Sequence, residues 1–358
     1  MGAVYHLTYL QAVVIGLIQG VTELFPISSL GHTVLVPAWV GGTWGTLVRQ
    51  ESSPDSPYLA FVVGLHLATA LVLLGYYIKT WVRIIRGLIT SIVTRRVTSA
   101  DQRLAWLLIV ATIPVGIAGL VLEHPFRLLF AKPLAAAIFL TINGGILFGA
   151  EALRRRRAPA GGPGEVPRRE PVAQPEPVAQ PEPVAHRAPA AQRAPATQAA
   201  GAGAAGQTQP MPASAAEADE TIFLDEAAEQ RLAGVGLMSA LWIGASQILA
   251  LLAGISREGV TMAGGLVRGL SHEDALRFSF LLSTPVILAA GALKISDLTG
   301  SLGNGVRGQV LVGSAAAAIS SLFAVVFLAR YFRTRTLTPF AIYCVAAGLI
   351  SIIRFGFF

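Results

Sequence analysis

Apolar residues form ten segments along the chain, and the lengths of these segments predict a helical membrane protein. They cover about 10 to 27, 32 to 48, 58 to 78, 104 to 122, 132 to 150, 235 to 253, 259 to 267, 274 to 294, 310 to 330 and 338 to 356. Six are long enough to cross roughly 30 Å of hydrocarbon as helices, whereas the pair that opens each half is interrupted. The pattern predicts an all-α polytopic membrane protein with six transmembrane helices and two re-entrant helical hairpins.

The two interrupted pairs resemble each other. Shifting residues 19–33 by 228 positions places them on residues 247–261, with these identities: Gln19/Gln247, Leu24/Leu252, Ile27/Ile255, Ser28/Ser256, Gly31/Gly259 and Thr33/Thr261. Interrupted apolar segments at equivalent places in two halves indicate a site built from half-helices near the middle of the bilayer. Because three spans follow each pair, the two halves form an inverted repeat, and the two hairpin tips are expected to meet head to head.

The segment from Arg154 to about Leu232 differs in composition from the rest of the chain. It is rich in Pro, Ala and Gln, contains the imperfect repeat PVAQPE and has almost no large apolar side chains. Such a sequence cannot bury enough apolar surface to offset the entropy of ordering. Three parts are therefore predicted: a first membrane repeat over 1–153, a disordered Pro/Ala-rich cytoplasmic linker over 154–232, and a second, inverted membrane repeat over 233–358.

The distribution of charge indicates the orientation in the membrane. The chain carries a net charge of +7, but residues 151–233 hold nine Arg against eleven acids, so the basic excess belongs to the membrane repeats. This arrangement suits an anionic lipid surface and not nucleic acid. The loop over 79–103 has six Lys or Arg against Asp101, and the positive-inside rule places it in the cytoplasm. The first hairpin then enters the membrane from outside.

Polar residues interrupt the first hairpin in the stretch QGVTELFPISSLGH, which begins at residue 19. Pro26 is expected to end the first half-helix, and Ser28 or Ser29 to cap the returning one, whose free N–H groups attract an anion. Gln19 and Glu23 are four residues apart and therefore share one helix face. The stretch thus predicts a polar site inside an apolar segment.

The second hairpin repeats this arrangement in the stretch AGISREG. Gly254 is expected to form the turn, Ser256 to cap the returning helix, and Arg257 to supply a fixed positive charge. Two helix N-termini, an arginine, serine hydroxyls, a histidine and a carboxylate suit a phosphate group. Charged side chains are costly at the bilayer centre, so those that do not merely pair with each other indicate function.

These residues can be given roles in the hydrolysis of a diphosphate, which needs a nucleophile, charge neutralisation and a proton for the leaving oxygen. The unperturbed pKa of a histidine lies near neutrality, so His32 suits a nucleophile or a general acid/base. Glu23 is expected to orient His32, activate water or hold a metal. The sequence leaves open whether a serine or His32 attacks. The expected catalytic residues are Glu23, Ser29, His32 and Arg257, and the expected phosphate-binding residues are Gln19, Ser28, Ser256 and Arg257.

The two hairpin sequences resemble the signature regions of the bacterial undecaprenyl-diphosphatase family, also called the bacitracin-resistance family. The motif TE-x-x-P-x-SS-x-GH and the later G-x-SR and FSFLL carry the resemblance, which covers all but the linker. It implies hydrolysis of undecaprenyl diphosphate to undecaprenyl phosphate and inorganic phosphate, in the service of cell-wall synthesis and bacitracin resistance. It also implies a multi-pass protein of the bacterial plasma membrane, an outward-facing active site, a long-chain prenyl diphosphate partner and a divalent metal, magnesium.

The sequence departs from the family pattern at three positions: Gln19 where many members have Glu, Ala253 where a proline is usual, and Glu258 where a small residue follows the arginine. The Glu258 carboxylate either competes with phosphate for Arg257 or joins Glu23 as a metal ligand, and ligation is the favoured expectation. His66, isolated in an apolar span, is expected to pack or to form an interhelical hydrogen bond.

Other functions remain open at this point. Inverted repeats with hairpins that meet at mid-membrane also build secondary transporters, so a phosphate-lipid flippase or ion-coupled carrier is the alternative. The membrane phosphatases with a PSGH element are a weaker alternative, because PISSLGH lacks the Lys-Pro or Arg-Pro element before it. The oligomeric state, with a homodimer as one option, is not determined by the sequence.

Overall fold

The computed structural model describes residues 7–51, 57–130, 132–157, 227–299 and 305–357, which are helical and contain no β-strand. The α-helices are α1 (Tyr9–Leu24), α2 (Ser29–Val40), α3 (Gly42–Glu51), α4 (Pro57–Tyr76), α5 (Ile78–Thr94), α6 (Ala100–Phe130), α7 (Pro133–Arg157), α8 (Ala227–Ala233), α9 (Leu237–Ser246), α10 (Arg257–Val267), α11 (His272–Thr299), α12 (Arg307–Tyr331) and α13 (Thr338–Phe357). A 3₁₀ helix, Gln247–Leu251, follows α9.

The long apolar helices are those that the hydrophobic pattern predicts as spans. α6, α7, α11, α12 and α13 each contain a stretch long and apolar enough to cross a membrane. The twenty residues of α4 extend roughly 30 Å and give a sixth span. In contrast, α1 has 16 residues and α2 has 12, or roughly 24 and 18 Å, so each is too short to cross alone. The pairs α1/α2 and α9/α10 form the two hairpins.

The two halves pack against each other reciprocally. α1 packs on α12 and α9 packs on α6, while α4 pairs with α11 and α7 pairs with α13. When the two halves are exchanged, the first two contacts become each other and the last two map onto themselves. Gly16 of α1 lies against the Gly313 carbonyl of α12, and Gly244, 228 positions later, lies against the Ala111 carbonyl of α6, with no room for a Cβ at either glycine. The inverted repeat therefore extends from the hairpin tips into the packing of the spans.

Three boundaries differ from those predicted. Residues 79–103, predicted as a cytoplasmic loop, contain most of α5 and the start of α6, because the basic residues occupy one side of an amphipathic helix. The segment 32–48 is broken after Val40, where Gly41 and Gly42 have positive φ angles and α3 begins. The ends of the predicted linker are helical, as parts of α7 and α8, and residues 158–226 lie outside the described residues.

Candidate active site

Each hairpin turns at a serine that caps the returning helix. α1 ends at Leu24, and Ser28 caps α2 by accepting a hydrogen bond from the Gly31 N–H at 3.2 Å. Ser256 caps α10 in the same way, accepting from the Gly259 N–H at 3.1 Å. Ser28 adopts a φ of +71°, which is uncommon for a residue with a side chain. The two caps occupy equivalent positions of the repeat, as the sequence predicts.

The two tips contact each other directly. The Gly254 N–H donates to Ser28 Oγ at 3.2 Å, and Ser256 Oγ donates to the Phe25 carbonyl at 3.2 Å. Gly254 has a φ of +112° and lies against the backbone of α7, so a side chain would be strained there. Ser256 was expected to bind phosphate, but its hydroxyl both donates and accepts within the tips. Ser256 thus joins the hairpins in the structure, and binding of phosphate by its hydroxyl stays a prediction.

Asn143 of α7 holds both tips and was not identified from the sequence. Its side-chain amide donates to the Pro26 carbonyl at 3.0 Å, and its side-chain oxygen accepts from the Ser256 N–H at 3.0 Å. The residue is fully buried. A buried amide whose donor and acceptor are both satisfied fixes the position of the groups it contacts. The only signal in the sequence is a single Asn within an apolar span.

Glu23 is the centre of the polar cluster at the tips, and the structure brings four of the expected site residues together there. The carboxylate is only 5% exposed. Its Oε1 accepts a hydrogen bond from Arg257, and its Oε2 accepts from the Ser29 hydroxyl and from the Gln19 amide, the latter at 3.0 Å. Ser29 and Arg257 are each the first residue of a returning helix, 228 positions apart. Equivalent positions of the repeat thus supply the hydroxyl and the guanidinium.

His66 of α4, and not His32, is the histidine that contacts Glu23. Its Nε2 lies 3.3 Å from Glu23 Oε2, and its Nδ1 lies 2.9 Å from the Val62 carbonyl. A carbonyl and a carboxylate only accept hydrogen bonds, so a protonated ring satisfies both contacts at once, whereas a neutral ring donates to one of them only. The expected interhelical hydrogen bond is present, but it belongs to the site. Glu23 therefore lies between a guanidinium and a histidine, and both contact its carboxylate.

His32 is held by other partners, which corrects the expectation that Glu23 orients it. His32 Nδ1 lies 2.6 Å from the Ser28 carbonyl, and its Nε2 lies 2.7 Å from the Tyr343 hydroxyl. The two rings stack with centroids 5.7 Å apart. Because Nδ1 donates to a carbonyl and Nε2 faces a hydroxyl that can donate, these contacts suit a neutral imidazole. Tyr343 comes from α13, and no motif in the sequence pointed to it.

A narrow crevice beside His32 is otherwise mainly apolar. Besides His32, its walls are formed by residues of α1, α2 and α3: Ile15, Ile18, Thr33, Val36, Pro37 and Trp44. The crevice places hydrocarbon next to the polar cluster at the tips. An amphiphile with a charged head and an apolar chain matches this juxtaposition.

The hydrogen-bond partners of Glu258 are two serines of α11, and not the second metal ligand that was expected. Its carboxylate is fully buried and accepts from the Ser283 hydroxyl at 2.6 Å and from the Ser279 hydroxyl. Glu23 is surrounded by N–H and O–H donors, which a cation would have to displace. No group of three or more His, Cys, Asp or Glu within the described ranges could hold a metal. The expected metal pair, Glu23 with Glu258, therefore does not fit a protein-bound magnesium ion.

The fold and the site define an integral membrane protein whose two hairpin tips form one buried polar centre, built around Glu23 and Arg257, with a mainly apolar crevice beside His32. The family described as bacitracin resistance protein BacA matches residues 12–170 and 214–350, and the chain belongs to this family. The resemblance recognised in the hairpin motifs is thereby confirmed.

Similar proteins extend over nearly the whole chain. Undecaprenyl-diphosphatase 2 of Frankia alni is 52% identical over 356 residues, which cover 98% of this chain and 99% of that protein. The undecaprenyl-diphosphatase of Mycolicibacterium paratuberculosis is 49% identical over 348 residues, 97% of each chain. That of Granulibacter bethesdensis is 35% identical over 345 residues, 95% of this chain and 94% of that protein.

Proposed function

We propose that this chain is a membrane phosphatase that hydrolyses undecaprenyl diphosphate to undecaprenyl phosphate and inorganic phosphate, and so recycles the lipid carrier and confers bacitracin resistance. The observation that carries the proposal is the cluster of Glu23, Ser29 and Arg257, in which one hairpin supplies a carboxylate with a hydroxyl and the other supplies a guanidinium. A transporter needs a binding site but no nucleophile beside a base. The cluster therefore favours hydrolysis over the carrier alternative.

The centre attracts the diphosphate through the guanidinium donors that Glu23 does not use. Arg257 uses Nη2 for Glu23, and a guanidinium has five N–H donors, so further donors serve the terminal phosphoryl oxygens. The positive ends of α2 and α10 point at the same place, because the two tips meet there. The Gln19 amide donates to Glu23, so we assign Gln19 the role of holding this carboxylate instead of binding phosphate. Binding of phosphate by the Ser28 hydroxyl stays a prediction.

Ser29 is the nucleophile in this proposal, and Glu23 is its base. The Ser29 hydroxyl donates to Glu23 Oε2, so the proton has an acceptor before the reaction begins. Ser29 Oγ attacks the terminal phosphorus, its proton passes to Glu23, and the bond to the bridging oxygen breaks as prenyl monophosphate leaves. Water then attacks the phosphoserine, Ser29 recovers its proton from Glu23, and the proton of the water leaves with inorganic phosphate. Arg257 neutralises the charge on the phosphoryl oxygens in both steps.

The two histidines have different tasks in this scheme. His66 donates to Glu23 Oε2 and positions the oxygen that serves Ser29. His32 lines the apolar crevice and contacts the Tyr343 hydroxyl, so we assign both residues to the leaving-group side, where the prenyl monophosphate departs. The first isoprene units would contact the crevice wall formed by Ile15, Ile18 and Val36.

The same features bear on the membrane location, orientation, metal and oligomeric state of the enzyme. We place it in the bacterial plasma membrane with the site open to the outer face, because the basic residues of α5 favour the cytoplasmic side for that end of the protein. The family resemblance implies magnesium. Since Glu23 and Glu258 do not form a site for it, the ion would be held by the oxygens of the bound diphosphate. A homodimer is not required for catalysis, because one chain supplies both Glu23 and Arg257.

Phosphate release from undecaprenyl diphosphate by the purified, full-length protein tests the proposal. The expected result is catalytic release of one phosphate per lipid, with Ser29→Ala inactive and folded. The matched control is Ser246→Ala, on the half-helix before the second tip, where the hydroxyl bonds backbone carbonyls of the hairpin. A chain that moves the lipid across vesicles without releasing phosphate would establish the carrier alternative instead.

A further inference from the structure

Helix α5 has one side that packs on the protein. Thr80, Ile84, Gly87 and Ser91 are its buried residues, and they recur at the spacing of one helix face. Gly87 lies against the backbone at Asp101 and Gln102 of α6, with no room for a side chain. This face fixes which way the rest of the helix points.

The opposite side of α5 is apolar and exposed. Its residues also recur every three or four positions and are each between 48% and 58% exposed: Ile78, Val82, Ile85, Ile89 and Ile92. Nothing else in the described part of the chain covers this stripe. Five large apolar side chains in one row form a surface that a protein does not leave in water without a partner.

The direction of α5 is fixed by its neighbours. It leaves α4 at an angle of 82°, so it runs nearly parallel to the membrane plane when α4 crosses the bilayer. Glu229 of α8 anchors α5, because its carboxylate accepts hydrogen bonds from Thr80 Oγ1 at 2.7 Å and from Arg83 Nε at 3.1 Å. These contacts, which include the half-buried ion pair of Arg83 with Glu229, hold the apolar stripe on the outward side of the helix.

A third side of α5 is basic. Lys79 and Arg86 are exposed between the packed face and the apolar stripe, and Arg95 with Arg96 follow the last turn. Trp106 of α6 donates its indole N–H to Ser91 while its ring is 38% exposed, an arrangement typical of the membrane interface. A helix with an apolar stripe beside a basic stripe suits the boundary between headgroups and acyl chains.

We propose that α5 is a membrane-surface helix that inserts its isoleucine stripe into the cytoplasmic leaflet and binds the phosphates of anionic phospholipids through Lys79 and Arg86. The alternative occupant, a second copy of the chain, is disfavoured by charge, because a symmetric contact would bring Lys79 and Arg86 against their own copies. An anionic lipid surface complements both the apolar and the basic side of the helix at once.

Spin labels on variants of the full-length protein that each carry one added cysteine test the insertion in vesicles. Cys344 is the chain's one cysteine and is buried, so the unsubstituted chain is the labelling control. Labels at Ile85→Cys and Ile89→Cys should be accessible to oxygen and shielded from a soluble nickel chelate, with the reverse at Thr90→Cys. Nickel access at 85 and 89 as high as at 90 would place the helix in water. Exclusion of both reagents at 85 and 89 would show a protein partner. Either outcome overturns the proposal.

The lipid charge is tested by comparing phosphatidylcholine vesicles with and without phosphatidylglycerol. The oxygen-to-nickel contrast at position 85 should increase with phosphatidylglycerol, and the increase should disappear in the Lys79→Gln/Arg86→Gln variant. Arg354→Gln, near the end of α13, is the matched control and should keep the increase. If phosphatidylglycerol has no effect on the parent chain, or if the double variant responds equally, binding of anionic headgroups by this face is refuted.

Discussion

Replacing His66 tests whether this residue positions Glu23 or only packs within α4. In His66→Leu the side chain still fills apolar space, but Glu23 Oε2 loses the Nε2 donor that lies 3.3 Å away. Glu23 keeps Arg257, Ser29 and Gln19, so the carboxylate stays in the site with a looser orientation. In His66→Gln an amide N–H can replace the lost donor.

The size of the effect follows from the geometry of this contact. A hydrogen bond to a charged group contributes about 1.5 to 3 kcal/mol net. The separation of 3.3 Å exceeds the usual distance of a charge-assisted hydrogen bond, so the lower end applies. About 1.5 kcal/mol corresponds to roughly a tenfold change in rate. We therefore expect His66→Leu to lower kcat about tenfold with KM within about twofold, and His66→Gln to restore kcat to within about threefold.

The assay is initial-rate phosphate release from undecaprenyl diphosphate in detergent, with thermal unfolding measured on the same preparations. A purely structural role would not produce a lower kcat together with an unchanged KM and rescue by glutamine. A Leu variant with wild-type kcat would refute the positioning role. So would a folded Gln variant as slow as the Leu variant.

Three further substitutions test other parts of the site. Arg257→Ala should lower kcat/KM by at least about a hundredfold, the scale of losing a charge contact in the transition state, and a folded variant with normal phosphate release would show that the guanidinium is structural. Glu258→Gln should leave the magnesium concentration for half-maximal activity unchanged, because the carboxylate binds serines of α11; a higher requirement would restore the metal-ligand assignment. Gly31→Ala would place a Cβ 3.0 Å from Gly254 Cα, so it should destabilise the protein by about 1 to 3 kcal/mol and slow turnover. Gly45→Ala, where a Cβ meets nothing within 4 Å, is the control for thermal unfolding. Equal melting temperatures for the two alanine variants would contradict close contact of the tips.

The hairpin tips could be predicted from the sequence because their signals are local. A proline, capping serines and a glycine specify each turn within a few residues, and the spacing of Gln19 and Glu23 puts both on one helix face. The repeat then brings the two tips together without any knowledge of side-chain contacts. These signals sufficed to associate Glu23 with Arg257.

The rest of the site depends on helices that are distant in the sequence. His66, Asn143 and Tyr343 come from three spans, and nothing local distinguishes a histidine that packs from one that contacts a carboxylate across helices. Glu258 was assigned to a metal because its partners, Ser279 and Ser283, were not recognised as facing it. In α5 the basic residues were interpreted as a loop, although the period of its isoleucines already indicated a helix with two sides.

The division of the centre between the repeats constrains its ancestry. The first repeat carries the carboxylate and the hydroxyl, and Leu251 and Val260 stand in the second repeat where Glu23 and His32 stand in the first. The second repeat in turn has the arginine where the first has Ser29. A precursor with one repeat could have assembled paired tips only from two copies inserted in opposite orientations, with identical residues on both sides. In a single chain that identity requirement is absent, so the two tips can differ: the first carries the carboxylate and the hydroxyl, and the second carries the guanidinium.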